Sequence, residues 1–117
     1  MHLITTPIPL SFITENANCT NPDGKSLCKA VVDIDRKIIV IGGSMHVDEE
    51  EMLLDEESEQ NNLWGVNLYP DQFGTADFVE FDSMINLRPN LGNRSRSVEN
   101  IETQKQILSI VSILIYA

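Results

Sequence analysis

Polar and apolar residues alternate through residues 78–88. One side of this segment carries Phe81, Ser83, Ile85 and Leu87, and the other carries Glu80, Asp82, Met84, Asn86 and Arg88. A period of two predicts a half-buried strand, and Pro89 ends it because proline has no backbone donor for a ladder. The polar side places an acid, an amide and a guanidinium in one row, at steps of about 7 Å.

Two further segments have the composition of strands. Residues 28–34 and 37–41 are rich in β-branched side chains, which favours a hairpin across Asp35 and Arg36 over a single helix ending at Gly42. Residues 63–69 alternate again, with Trp64, Val66 and Leu68 on the apolar side and Asn67 and Tyr69 on the polar side.

The segment 44–54 fits two structures. As a strand it points His46, Asp48 and Glu50 the same way, whereas as a helix it separates these three side chains. The site hypothesis below depends on the strand.

The clearest predicted helix runs from Ser97 to Tyr116. Ser97 is the expected cap and Glu99 lies in the first turn. Apolar residues occupy nearly every side of this helix, which is typical of burial on more than one face. A shorter helix is predicted from Leu10 to Ala17, with Leu10 and Ile13 on one face.

Together these elements predict an α+β fold in a single domain of residues 1–117. We expect an antiparallel sheet, mainly a meander, packed by the C-terminal helix and the short N-terminal helix. The side chains expected to be most buried are Ile39, Trp64, Val66, Ile85, Leu87 and Ile110.

The net charge and the cysteine content limit which classes of partner and which cellular compartment we expect. The net charge is −10, so a nucleic-acid backbone is a poor partner. No apolar run reaches the length of about 20 residues that crosses a bilayer, and the last helix lacks the basic face of a membrane-surface helix. Cys19 and Cys28 form no zinc motif, and the N-terminus has no signal-peptide pattern, so we expect a cytoplasmic protein.

Several motifs resemble those of a small, uncharacterised bacterial and archaeal family of unknown function. They are KAVVDID, the Gly-Gly before MHVDEE, LWGVNLYP, and DSMINLRPNLGNRSR followed by a helix. The family pattern reads His-small-Asp-small-Glu, which His46, Asp48 and Glu50 match while Val47 and Glu49 depart from the small residues. The resemblance implies no activity; it implies only that these polar positions have roles beyond an ordinary surface.

Two sets of residues are candidates for a site. The polar rows of the two predicted strands, together with the basic turn after Pro89, give a set for a small ligand or an anion: Asn67, Tyr69, Asp82, Asn86, Arg88 and Arg94. His46, Asp48 and Glu50 are ligand types for a divalent metal ion, which is the cofactor that such a set implies. The sequence has no phosphate-binding glycine loop and no nucleophile elbow, and it assigns no reaction.

Two functions therefore stand side by side. The first is a small-ligand, anion or metal site on the polar face of the sheet. The alternative is a non-catalytic homodimeric interaction module, because residues 107–115 hold more apolar side chains than one sheet face covers.

Overall fold

The computed structural model describes residues 1–16 and 26–117. Cys19, and Ala17 at the predicted end of the first helix, lie outside these residues. The strands and helices are β1 (His2–Ile4), β2 (Ile8–Pro9), α1 (Leu10–Asn16), β3 (Cys28–Asp33), β4 (Ile38–Ile41), α2 (His46–Asp55), β5 (Leu63–Leu68), β6 (Val79–Glu80), α3 (Ile101–Leu114) and β7 (Ile115–Tyr116). Short 3-10 turns lie at Gln60–Asn62, Pro70–Gln72, Met84–Asn86 and Pro89–Leu91.

The α+β fold class is confirmed. Five strands form an antiparallel sheet in the order β1-β4-β3-β5-β6, and β2 pairs with β7 in a separate parallel ribbon. The predicted hairpin is β3 and β4, closed by a turn in which Asp33 Oδ1 accepts the N–H groups of Asp35 and Arg36. Because β4 and β5 flank β3, the connection through α2 crosses from one side of β3 to the other.

Each face of the sheet packs against a helical layer. On one face Val32, Ile39 and Val66 join the larger core cluster, which also contains Ile13 of α1 and Ile110 of α3. On the other face Val31, Val40 and Leu63 pack against Leu53 of α2. The second face, which the sequence indicated as polar and open, is therefore partly covered by α2.

The segment 44–54 is a helix, so the strand on which the metal hypothesis depended is wrong. Its buried positions are His46, Glu49, Glu50 and Leu53, which follow the spacing of one helix face. Three of those four residues are ionisable. The buried face of the helix is therefore not marked by apolar residues at helical spacing in the sequence.

The predicted strand 78–88 is also wrong beyond Glu80. The hydroxyl of Ser83 accepts the N–H of Ile85 at 3.3 Å and begins a 3-10 turn that ends the alternation. Leu87, expected in the core, is 39% exposed, and Ile85 is only partly buried. Trp64, Val66, Ile39 and Ile110 are buried as expected.

The last helix begins four residues later than predicted. Asn100 is its cap, with Oδ1 accepting the N–H of Thr103 at 3.1 Å, while Glu99 instead accepts the backbone N–H of Arg94 at 2.7 Å. Residues 115–116 leave the helix to pair with β2. Among the described residues, no helix has the length and hydropathy needed to cross a membrane.

Candidate functional site

The outer edge of β5 is closed by side chains instead of a strand. β6 pairs only with Asn67 and Leu68, which leaves Leu63 and Gly65 without a backbone neighbour on that side. Asn86 Oδ1 accepts the N–H of Gly65 at 2.9 Å and Asn86 Nδ2 donates to the Gly65 carbonyl at 3.0 Å, while Arg88 Nη1 donates to the Leu63 carbonyl. Asn86 and Arg88 therefore complete the sheet.

Arg88 is held from three directions. Its Nη2 lies 2.9 Å from Oε2 of Glu50, and its guanidinium carbon lies 5.2 Å from the ring centroid of Trp64. Burial lowers the pKa of Arg88, and the Glu50 carboxylate opposes this shift. Arg88 forms no ion pair with Asp82, which instead accepts from Arg96 Nε at 2.7 Å.

Asn93 organises the turn that follows. Its Nδ2 donates to the carbonyls of Asn86 and Ser97, both at 2.7 Å, and its Oδ1 accepts the N–H of Glu99 at 2.8 Å. The polar residues of the motif between Ser83 and Glu99 are thus largely internal supports of an irregular segment.

The structure separates the predicted metal set. Glu50 is engaged by Arg88, Asp48 is partly exposed away from the buried stripe of α2, and His46 contacts β5. Across residues 1–16 and 26–117, no three His, Cys, Asp or Glu side chains are arranged to hold a metal ion.

The predicted ligand set is divided as well. Asn86 and Arg88 are buried supports, and the exposed side chain of Arg94 lies apart while only its backbone contacts Glu99. Asn67 and Asp82 do come together, because Asn67 Nδ2 donates to the Asp82 carbonyl at 3.3 Å and to Glu80 Oε1 at 2.9 Å.

Tyr69 lies beside this contact. Its hydroxyl donates to Glu80 Oε1 at 2.9 Å. Desolvation, followed by the hydrogen bond and charge of Glu80, raises the pKa of Tyr69 to about 12. The tyrosine therefore remains a neutral donor at ordinary pH.

His46 joins the same region from the first turn of α2. Its Nε2 lies 2.7 Å from the Val66 carbonyl, and its ring lies against Gly65. Burial lowers the pKa of His46, while the charges of Lys29, Asp82 and Arg96 act on it with smaller effects. We name Lys29, His46, Asn67, Asp82 and Arg96 the β5 polar cluster.

Lys29 is the member that the sequence prediction missed, and Arg96 is the member of the basic turn that the predicted ligand set left out. Lys29 is the cross-strand partner of Asn67 in the β3–β5 register. That register follows only once β5 is known to pair with β3, so the sequence carries no local signal for Lys29. Arg96 had a signal, because it belongs to the basic turn GNRSR.

Comparison with known proteins gives a family and no characterised relative. A family model described as a protein of unknown function, DUF5674, matches residues 3–114. No curated protein and no solved structure matches the chain.

Proposed function

Because the chain belongs to the DUF5674 family of proteins of unknown function, we propose a function from its own geometry, namely that it binds a small polar ligand at the β5 polar cluster. The observation that carries this proposal is the Oδ1 atom of Asn67. Asn67 is 5% exposed, and in the described part of the chain this oxygen has no hydrogen-bond partner. Buried polar atoms are nearly always paired. Among the described residues Asp33 Oδ2, Glu49 Oε1 and Trp64 Nε1 are also unpartnered, but Asn67 lies across from Lys29, so a ligand could supply its donor and meet this cation together.

The charges around Asn67 support the proposal. Lys29 is half-buried and has no ion-pair partner among the residues the structure describes, although the net charge of the chain is −10. Partly exposed ionisable groups that converge on a buried polar side chain are typical of binding sites.

A thermal-unfolding titration with glycolate and with inorganic phosphate tests this function. Ligand that binds only the native state stabilises it by about 2.7 kcal/mol at a hundredfold excess over Kd. We expect the melting temperature to rise for the wild type and for Lys37→Met, and to stay constant for Lys29→Met. Lys37 is a matched control because it is also a lysine but lies away from the β5 polar cluster. It is in the hairpin turn and lines the cavity beside α3. Equal shifts in both variants would remove the β5 polar cluster from consideration.

A second function, homodimerisation through α3, is favoured by a separate observation. Ile101, Leu108 and Ile113 are 59%, 42% and 62% exposed on this helix. Beside Leu108 lies a cavity of about 420 Å³ whose lining includes Phe73, Phe78 and Phe81. Leu108 projects beside this apolar cavity, whereas Ile113 lines a different cavity together with Lys37 and Glu102. A surface with both a projecting apolar side chain and an apolar cavity is suited to an isologous contact.

Charge favours a second copy of the chain as the partner at this face. Glu102 and Lys105 are the charged residues of α3, and they offset each other. Two chains that each carry a net charge of −10 can therefore meet here without bringing acids together.

Sedimentation analysis over a concentration series tests the dimer. We expect a species of twice 13.1 kDa for the wild type, monomer for the double variant Leu108→Lys/Ile113→Lys, and dimer for Met84→Lys. Met84 is the matched control because it is 63% exposed but lies outside α3. A 13.1 kDa wild-type species at every concentration would end this hypothesis.

A further inference from the structure

The β5 polar cluster contains two acceptors without a donor among the described residues, of which only Asn67 Oδ1 is a fully buried atom. The first is Asn67 Oδ1. Asn67 Nδ2 faces two oxygen acceptors, Glu80 Oε1 and the Asp82 carbonyl, and this fixes the orientation of the amide. Oδ1 must therefore face away from them, and a buried carbonyl oxygen without a donor costs about 1–3 kcal/mol.

The second acceptor is Nδ1 of His46. A backbone carbonyl only accepts, so Nε2 of His46 must carry the proton that it shares with Val66. In the neutral ring Nδ1 is then an acceptor, and it makes no hydrogen bond within residues 1–16 and 26–117. Burial lowers the pKa of His46, which keeps the ring in this neutral form.

One cation of the cluster has no ion-pair partner among the described residues. Asp82 is paired with Arg96, and Glu80 accepts from Asn67 and Tyr69. Lys29 lies across from Asn67, and no acid pairs with it in the described ranges.

Two acceptors and one cation define a complementary ligand. A plain anion matches Lys29 but brings no donor for His46 Nδ1 or Asn67 Oδ1. A neutral polyol brings donors but leaves Lys29 unmatched, and an ammonium group brings donors but is repelled by Lys29. Building on the proposed function, we infer that the ligand is a small hydroxylated anion, whose anionic oxygen meets Lys29 and whose O–H donates to one of the two unpartnered acceptors.

Matched pairs of probes separate this inference from the function on which it rests. Glycolate and acetate carry the same charge but differ in one hydroxyl, and at pH 7 phosphate carries an O–H that sulfate lacks. In calorimetric titrations of the full chain we expect glycolate and phosphate to bind about tenfold or more tightly than acetate and sulfate, the scale of one or more hydrogen bonds to a buried polar group. Glycolate and phosphate also distinguish a carboxylate ligand from a phosphate ligand.

Variants locate the binding. Lys29→Met should abolish glycolate binding, and Lys37→Met should leave it unchanged. Equal binding of glycolate and acetate, both lost in Lys29→Met, would overturn the hydroxylated-anion inference and leave the proposed site standing. Binding of none of the four anions would overturn both, and binding that survives Lys29→Met would place the ligand elsewhere.

Discussion

Oε2 of Glu50 and Nη2 of Arg88 form an ion pair of 2.9 Å in the protein interior, between residues 38 positions apart. The pair joins α2 to the irregular segment that closes the β5 edge. Arg88 also contacts the Trp64 ring and the Leu63 carbonyl, so its charge is surrounded by favourable groups.

Removing one partner of this pair should destabilise the protein strongly. We expect Arg88→Met to cost about 3–5 kcal/mol, because the Glu50 carboxylate would remain buried without its cation. Glu50→Leu combined with Arg88→Met should recover part of that loss, which urea unfolding measures. As a control, Glu102→Gln breaks the exposed pair with Lys105 and should cost less than about 1 kcal/mol. If the double variant loses as much stability as Glu50→Leu and Arg88→Met lose separately, added together, the two residues are not coupled.

Asn86 should be essential to the β5 edge. Asn86→Ala removes the hydrogen bonds to both backbone groups of Gly65 and to the Arg96 carbonyl, and we expect a loss of about 3 kcal/mol. Hydrogen exchange at the Gly65 amide should accelerate together with the loss of stability. Asn90→Ala, at an exposed position of the next turn, should change stability by about 0.5 kcal/mol or less. Similar costs for the two alanine variants would argue against the edge role.

Even a methyl side chain at Gly65 should strain the structure while Ser83 is present. A Cβ at Gly65 would lie 2.6 Å from both Cβ and Oγ of Ser83. Gly65→Ala should therefore cost about 1–3 kcal/mol in chemical denaturation, as overpacking does. Adding Ser83→Gly should relieve part of this cost. If the double variant were no more stable than the sum of the two single effects predicts, the clash would not be the cause.

Glu49 should make the protein less stable as pH rises. Glu49 is fully buried, with Oε2 accepting the Gly43 N–H at 3.1 Å, and burial raises its pKa to about 9 from an ordinary value of 4.5. The native state thus holds a proton that the unfolded chain releases above pH 4.5. The resulting stability is fully present below about pH 4.5 and is lost progressively as pH rises towards 9.

Glu49→Gln isolates this effect. The amide keeps an acceptor for Gly43 and cannot ionise, so at pH 8 we expect the variant to melt at a higher temperature than the wild type, with a weaker pH dependence. Glu51→Gln, at an exposed position of the same helix, should retain the wild-type slope. Parallel pH profiles for wild type and Glu49→Gln would contradict a protonated Glu49.

The parts of the fold that could be predicted are those specified by local composition. The β-branched residues of 28–41 indicated the hairpin, and the apolar residues of 101–114 indicated α3. The helix α2 could not be predicted from hydrophobic periodicity, because His46, Glu49 and Glu50 occupy most of its buried face. Their burial depends on distant partners, namely Val66, Gly43 and Arg88.

The site was only partly predictable for the same reason. Asn67 and Asp82 were expected to lie together, and they do. Asn86 and Arg88 have the side chains of a binding face, but hydrogen bonds to the backbone of β5 turn them inward. An alternating pattern does not distinguish a strand from a segment whose side chains take the place of a strand.

The closure of the β5 edge has a consequence for solubility. An exposed strand edge offers unpaired N–H and C=O groups to the strands of other molecules, and it is a common starting point for aggregation. Asn86 and Arg88 occupy those groups at Gly65 and Leu63, with side chains that cannot propagate a ladder to a further strand. The segment 83–93 therefore protects the β5 edge against edge-to-edge pairing, and variants that detach it should form β-rich aggregates even where the hydrophobic core is intact.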